Sequence, residues 1–558
     1  MNAQPTPRPP IVFVVVVAVA ATASAVARQV VVPPTLGVPG GMGSKPSNAY
    51  DLAQAALAQG NFSGALELAT EEYRGCTKIG NQRWIDSIAG AAIVGECHYE
   101  RGAFAQAVAA YDEALALAAQ HPDWLLAVQF PPQHPRPVAG RRAAPWVRSG
   151  RGTVPADLPD EVAIRQQAPD PQDVLQKGGV LAATFDQQIR AEQIMRALVI
   201  ALYRRAEILG PLGRESTALE GVARALARRP APPNHYSQSW IDVAHGTALW
   251  AQGKSDQAMP LLTRGLTVGR GLDHALTPWG LLVLGRIALD VDRAADAAKQ
   301  FDEAAYAAAD FGDVRAIEEA FRLAFAAHML AGVRGVPAII RAAGDAIGPR
   351  DDLDVVRARL FAMRAEALAA AGDARAAAAA LAEIDPRFLR GEAGQAAVGA
   401  EAAYAAALAA LAAGDLAAGD ADLGRALGLA RARSARLFQT AALTELVASG
   451  GSVSDRQAED LFGRFLGPPS ARDFGVDPLG TLAAITAPRQ PAFEAWIGVA
   501  ARRGLERAND AVLDPAEAAR RDRWLSARPL GGRLTAAERL LAAAPDALDP
   551  ATAARRAA

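Results

Sequence analysis

Cysteine is scarce in this sequence, and its charges nearly cancel. Only Cys76 and Cys97 occur among 558 residues, too few for a disulfide framework or for a metal site made of thiolates alone. Lys and Arg number 58 against 60 Asp and Glu, and the formal net charge is −2. A dedicated nucleic-acid-binding protein usually carries a basic excess. We therefore predict that nucleic acid is not a partner.

Catalytic motifs are also missing. Gly253-Lys254-Ser255 completes a loose phosphate-loop pattern, but the residues before it have the periodicity of a helix and not of the required strand. No two of the seven His stand four residues apart, as a helical metal site would need. His98 follows Cys97 directly, so on a helix the two side chains point about 100° apart. We predict no catalytic residues, no metal ligands and no cofactor, and thus no enzyme.

Long hydrophobic runs are absent after residue 27. Before it, Arg8 precedes an apolar run from Ile11 to Ala27, which contains the small-x-small triplets Ala23-Ser24-Ala25 and Ala25-Val26-Ala27. Residues 1–32 are therefore expected to be a cleaved signal peptide or an uncleaved membrane anchor, with a buried helix as the third alternative. The first two would place the protein outside the cytoplasm, periplasmic, secreted or anchored by a single pass. Residues 33–47 are predicted to be a linker.

What the sequence does have is one short sequence motif that is repeated along the chain, which we call the repeat motif. A Gly or Asp that can end a helix is followed five residues later by Ala, or once by Gly. The copies stand about 40 residues apart from Gly60 to Gly102 and again from Gly213 to Gly414, a spacing typical of stacked helix pairs. At Gly332 the turn residue is present, but Pro337 replaces the Ala. The copies are Gly60/Ala65, Gly102/Ala107, Gly213/Ala218, Gly253/Ala258, Asp292/Ala297, Gly372/Ala377 and Gly414/Gly419.

Helix packing explains the residue types of the repeat motif. Gly tolerates the left-handed backbone that ends a helix, and Ala allows two helices to approach closely. A further small residue precedes the turn by seven positions, at Gly95, Gly246, Gly285 and Ala365. With Tyr111, Ala114 and Leu115, the copy at residues 84–122 resembles the tetratricopeptide repeat (TPR).

The resemblance covers about residues 48–435, apart from an insert. It implies an all-α fold, a TPR-like α-solenoid of antiparallel helix pairs with a period of about 40 residues, longer than the usual ~34. Residues 48–121 are expected to hold the N-terminal repeats and residues 181–435 the main solenoid. Residues 374–430, rich in Ala, are expected to be more thinly packed than residues 236–310.

An insert rich in Pro and Arg interrupts the repeats at residues 122–180. Ten Pro lie between Pro122 and Pro171, a density that prevents helix. One interpretation is a surface loop. The other is a segment that lies along the groove of the solenoid through Trp124, Phe130 and Trp146.

Residues 436–558 are predicted to be a degenerate helical region. The segment Arg520–Arg533 is similar to the one that follows the repeats in some bacterial TPR proteins with a caspase-like CHAT domain. The chain ends at Ala558 before any such domain. This weaker resemblance implies an alternative function, a regulatory or sensor arm whose protease effector is another chain.

The two cysteines leave two alternatives open. They are separate small core residues, or they pair between neighbouring repeats in an oxidising compartment.

Binding of another protein or peptide remains as the expected function, since aromatic and Arg side chains are the usual anchors of interfaces. The register of the repeat turn directs one face of each first helix towards the groove. The oligomeric state is left open. The candidate partner-binding residues are Tyr203, Glu207, Trp240, Val243, Thr247, Trp250, Trp279, Leu282 and Arg286.

Overall fold

The protein is described from a computed structural model, and its helices follow the repeat. The structure describes residues 43–79, 81–132, 135–138, 144–146, 148–165, 186–269, 271–348, 353–451, 453–503 and 508–526. The targeting segment, most of the linker, parts of the insert and residues 527–558 lie outside these ranges, and the predictions made for them stay predictions. No helix of the described residues is long and apolar enough to cross a membrane.

Ten of the described helices precede residue 311. They are α1 (Asn48–Ala58), α2 (Phe62–Gly75), α3 (Ser87–Glu100), α4 (Phe104–Gln120), α5 (Ala191–Leu209), α6 (Thr217–Ala227), α7 (Ser237–Ala251), α8 (Ser255–Gly265), α9 (Thr277–Asp290) and α10 (Ala294–Asp310). Four antiparallel pairs, α1–α2, α3–α4, α7–α8 and α9–α10, pack directly, whereas α5 and α6 pack on α4 and α7 more than on each other.

The remaining helices continue the pairing and then lose it. Four more pairs, α11–α12, α13–α14, α16–α17 and α18–α19, are followed by α20 to α23. The bounds are α11 (Val314–Leu330), α12 (Ala338–Ala346), α13 (Asp354–Ala370), α14 (Ala374–Ala382), α15 (Gly391–Gly394), α16 (Ala397–Ala412), α17 (Leu416–Arg431), α18 (Ala435–Ala448), α19 (Asp455–Leu466), α20 (Ala471–Val476), α21 (Pro478–Thr486), α22 (Gln490–Arg503) and α23 (Ala508–Ser526).

The predicted turn residues end the first helix of their pairs. Gly60, Gly102, Gly253, Gly332, Gly372 and Gly414 all have left-handed φ between 72° and 87°. Asp292 reaches φ 58° although it carries a side chain, which a short polar residue tolerates best. The prediction of an all-α, TPR-like solenoid of antiparallel helix pairs is confirmed.

One copy departs from the predicted turn. At Gly213 the chain forms a 3-10 segment, Gly210–Gly213, and the left-handed residue is Gly210. As a result Leu219 is buried where Ala218 was expected, and Ala218 is only partly buried. The expected small residues of the other copies are buried: Ala65, Ala107, Ala258, Ala297, Ala377 and Gly419.

The small residue before each turn gives room to a large one on the second helix. A Cβ at Gly95 would overlap the ring of Tyr111, and one at Gly285 would overlap Phe301. At Gly246 the added atom would lie 2.6 Å from Leu262. The small residues of the repeat motif therefore allow the two helices of a pair to pack closely.

The first repeats also contact the last ones. The Ser63 hydroxyl donates a hydrogen bond of 2.6 Å to Glu392, and a Cβ on Gly60 would meet Phe388. The rings of Phe104 and Phe438 lie 5.9 Å apart, edge to face. The solenoid therefore closes on itself around its inner helices.

The described parts of the insert are packed and partly in short strands. β3 (Val128–Gln129) pairs with β6 (Val162–Arg165), which pairs with β7 (Asp186–Ile189), all antiparallel. β4 (Arg136–Pro137) pairs antiparallel with β5 (Val154–Asp157), and β5 pairs in parallel with β8 (Leu272–Asp273). A small hairpin, β1 (Lys78–Ile79) and β2 (Gln82–Arg83), precedes α3.

The insert is anchored at several points. Trp124 and Trp146 are buried, Arg151 forms an ion pair with Asp273 at 2.9 Å, and the Ser149 hydroxyl donates to Glu303 at 2.7 Å. These parts of the insert are therefore packed against the repeats, and both interpretations of the insert as a whole stay predictions.

Both cysteines are free and buried. A Cβ on Gly90 would lie 2.9 Å from the Sγ of Cys76, whereas Cys97 is seven positions, about 10 Å, further along α3. Burial raises the pKa of both thiols, to about 12 for Cys97. The structure therefore favours two separate core residues over a disulfide.

Candidate partner-binding site

The inner helices bring an unusual number of buried charges together at the centre of the solenoid. Because α3, α5, α9, α11, α13 and α16 are the first helices of their repeats, their inward faces converge there. We call this set the inner charged cluster: Glu96, Glu100, Arg204, Glu207, Arg286, Arg315, Glu318, Glu319, Arg322, Arg359 and Glu401.

One half of the cluster surrounds Glu319. Its carboxylate accepts hydrogen bonds from Arg322 at 2.6 Å, from Arg204 and Arg286 at 3.0 Å each, and from the Tyr203 hydroxyl at 2.8 Å. Burial alone would raise the pKa of Glu319, but the three guanidinium groups outweigh it and hold that pKa well below its usual range. Glu319 is therefore ionised and fully engaged.

The other half is built around Arg315 and Arg359. Arg315 donates to Glu100 at 2.7 Å and to Glu318 at 2.9 Å. Arg359 contacts Glu318 and lies 3.2 Å from Glu401. Buried charges are tolerated when they are paired in this way, so the cluster holds the inner helices in place and offers few unused charges to a ligand.

The structure places the nine predicted partner-binding residues in this interior. Tyr203, Trp240, Val243, Thr247, Trp279 and Leu282 are buried, and only Glu207, Trp250 and Arg286 keep partial exposure. Partner binding at these residues stays a prediction, but the buried ones are reachable only if the packing changes.

Five of the nine lie together. The Tyr203 ring stacks on Trp250 at 5.5 Å and meets Trp279 at 5.4 Å. Arg286 donates to the Tyr203 hydroxyl at 2.9 Å and to Glu207 at 2.6 Å.

Trp240 lies apart from that group. It packs against Tyr236 and against Phe130 of the insert. Val243 lies beside Gly265 of its own pair and beside Gly280 of the next pair. The Thr247 hydroxyl donates to the Val243 carbonyl. These side chains fill space between helices, as does Leu282, which belongs to the main hydrophobic core.

Two adjoining cavities open beside the inner charged cluster. The first, which we call the central cavity, measures about 190 Å³ and lies among Tyr99, Phe104, Arg322, Arg359 and Arg433. The second, the apolar pocket, measures about 210 Å³ and lies among Phe325, Met329, Met363, Glu366 and Tyr404. The two cavities share part of their lining, formed by Arg322, Arg359, Glu401, Asp477 and Leu479.

Of the predicted residues, Glu207 lines the central cavity, but sequence reasoning missed the other residues that line the two cavities, although the signal was present. The predicted groove residues stand 13, 10, 6 or 3 positions before a turn residue. The same offsets from Gly332, Gly372 and Gly414 mark further residues of the inner face, which the prediction did not extend to. They are Glu319, Arg322, Arg359, Glu366, Glu401 and Tyr404.

Comparisons with known proteins add little. No family model matches the chain, and no curated protein matches it. Among solved structures, the chain is similar to one described as the crystal structure of the APC/C hetero-tetramer Cut9-Hcn1, with 13% sequence identity and a TM-score of 0.24. The match covers 86% of this chain and 83% of that chain. The assignment of the fold therefore rests on the helix pairs described above.

Proposed function

We propose that the chain is a non-enzymatic protein-interaction scaffold that binds a segment of a partner protein at the central cavity. The observation that supports this most directly is Arg433. Its side chain lines the central cavity, and within the described residues no carboxylate lies within ion-pair distance of it, whereas the Arg residues of the inner charged cluster are all paired.

An unpaired, partly buried guanidinium carries a desolvation cost. Burial lowers the pKa of Arg433, and its Nε has no hydrogen-bond partner in the described structure. A carboxylate of a partner would supply both the missing opposite charge and a hydrogen-bond acceptor for Nε. Arg is also a common anchor of interfaces. Phe104 and Leu479 supply an apolar rim beside it.

The test compares two Arg→Glu variants in affinity purification of the full chain. Arg433→Glu reverses the charge at the cavity. Arg375→Glu makes the same change on α14, at an exposed residue that makes no ion pair within the described part of the chain. We expect a partner that the unaltered chain and Arg375→Glu both recover and that Arg433→Glu loses, with all three equally folded by circular dichroism. Equal recovery by Arg433→Glu would exclude the cavity as the site.

We also propose that the scaffold acts outside the cytoplasm, exported or anchored at the membrane through residues 1–32. The support is the apolar run after Arg8 and its small-x-small triplets. For the alternative, a regulatory arm of a CHAT-type protease system, Arg520–Arg533 is the support. Within it, Asp522 forms a buried ion pair of 2.7 Å with Arg489, a contact that joins α23 to the start of α22.

A further inference from the structure

We propose that the apolar pocket binds a small organic cation, an amine whose ammonium group contacts Glu366 and whose apolar body lies against Phe325, Met329 and Met363. This inference is independent of the proposed function, because it concerns the second cavity and is measured on the isolated chain.

The ionisable side chains of the pocket that lack a charged partner are carboxyl groups, which become negative when they lose a proton. Glu366 on α13 lines it and forms no hydrogen bond or ion pair with another described side chain, while Asp477 uses one carboxylate oxygen to accept the Gly480 amide at 2.8 Å. Glu401 is paired with Arg359 at 3.2 Å. Arg322 and Arg359 also line the pocket, but the carboxylates of the inner charged cluster already bind them. A cation therefore complements the pocket better than an anion does.

The walls suit an apolar body. Phe325 and Met363 are buried, Met329 and Tyr404 are partly buried, and the exposed Phe474 stands at the edge. Met side chains adapt to the shape of a ligand, and aromatic rings attract a nearby ammonium group. The volume of about 210 Å³ exceeds the ~150 Å³ cavity that accepts benzene in another protein, so one ring with a short aminoalkyl chain fits.

The roof of the pocket argues for a small molecule over a polypeptide. Residues 474–479, at the end of α20 and the start of α21, cover the inner faces of α11, α13 and α16. A Cβ on Gly475 would overlap the side chain of Leu330, so the roof lies tightly on α11. A polypeptide chain would have to displace this roof, whereas a compact amine would not.

Protonation gives the binding a signature. Burial, with the neighbouring Glu401 and Asp477, raises the pKa of Glu366 to about 8; Tyr404 and the paired Arg322 and Arg359 are the other titratable groups that face it. In the empty pocket at pH 7 Glu366 is therefore mostly protonated. An ammonium ion favours the carboxylate, so its binding releases a proton.

The experiment is isothermal titration of the full chain with 2-phenylethylamine and, as the matched neutral probe, 2-phenylethanol. At pH 7 we expect saturable one-to-one binding of the amine, and binding of the alcohol weaker by about tenfold or more. Titrations in phosphate and HEPES, whose ionisation enthalpies differ, will show proton release for the amine.

Two variants complete the test. Glu366→Gln keeps the shape of the side chain and should weaken amine binding by about tenfold or more, without weakening the alcohol. Glu445→Gln, at an exposed position of α18, should leave both unchanged. No saturable amine binding, equal affinity for the alcohol, or an amine affinity that Glu366→Gln leaves unaltered would each overturn the proposal. The comparison of amine with alcohol uses the unaltered chain, so it holds even if a variant folds poorly.

Discussion

Arg204 on α5 donates a hydrogen bond of 3.0 Å to the carboxylate of Glu319, 115 residues later on α11. Both side chains are almost fully buried, with 3% and 2% of their surfaces exposed. This contact joins two inner helices that the sequence separates widely, and it makes the inner charged cluster a structural element of the solenoid.

Removing one member of such a pair leaves a buried charge without compensation. We expect Arg204→Ala to lower the free energy of unfolding by about 3–5 kcal/mol, measured by urea denaturation. The control is Arg224→Ala, which removes an exposed pair with Glu220 one helical turn away and should cost about 0.5 kcal/mol or less. Similar losses for both variants would show that burial does not strengthen the effect at Arg204.

The small residues of the repeat give a second prediction. Gly285→Ala should destabilise the fold by about 1–3 kcal/mol, because its Cβ would overlap the Phe301 ring. Gly424→Ala, in an exposed part of α17 with no atom within 4 Å of the added Cβ, should stabilise it by about 0.5–1 kcal/mol. Thermal unfolding of the two variants measures the direction of each change in stability. A stabilising Gly285→Ala would contradict the packing between α9 and α10.

The pH dependence of stability follows from Glu366. Its folded pKa of about 8 lies above the unfolded value of about 4.3, so the stability it contributes when protonated is lost as pH rises from 4.3 through 8. Gln cannot ionise and keeps that contribution. We expect Glu366→Gln to raise the melting temperature, by a margin that widens between pH 5 and pH 8 and is constant above. A margin independent of pH would mean that Glu366 is already ionised in the folded chain.

The cysteines should be unreactive in the native protein. Both are buried and free, and burial raises the pKa of both thiols. We expect a thiol reagent at pH 8 to label neither within the time in which it labels both in denaturant. The same two thiols should be recovered from protein isolated without reductant, and an unreactive pair in denaturant would indicate a disulfide.

The N-terminal proposal is tested by cell fractionation with N-terminal sequencing. A mature chain that begins at Val26 or Arg28 in a soluble extracytoplasmic fraction is expected for a cleaved signal peptide. An intact Met1 in the membrane fraction would identify an anchor instead. A chain with intact Met1 in the cytoplasm would contradict both.

Local signals predicted the helix pairs well, because each depends on a few nearby residues. Gly102 ends a helix by its own backbone preference, and Ala107 allows the close approach that follows. At Gly213 the same reasoning placed the turn wrongly, since the 3-10 segment moves the left-handed residue to Gly210. The spacing also marked the inner faces, but not how buried Trp240 and Trp279 would be.

The pairing of distant helices had no such signal. Arg315 binds Glu100, 215 residues earlier, and many other acidic residues would satisfy it equally. Helical periodicity identifies the face of a residue but not its partner. The strands of the insert were not predicted for a related reason. β5 pairs with β8, which follows it in the sequence only after two further repeats.

The contact between Ser63 and Glu392 distinguishes this protein from an open array. In an open solenoid each repeat touches only its neighbours, so units can be gained or lost at either end with a local effect. Here the first pair is a neighbour of α15 as well as of the second pair. Adding or deleting one repeat would move Ser63 out of reach of Glu392. The number of repeats is therefore constrained, as it is in a closed ring. Related proteins should differ in loops and tails before they differ in the number of repeats.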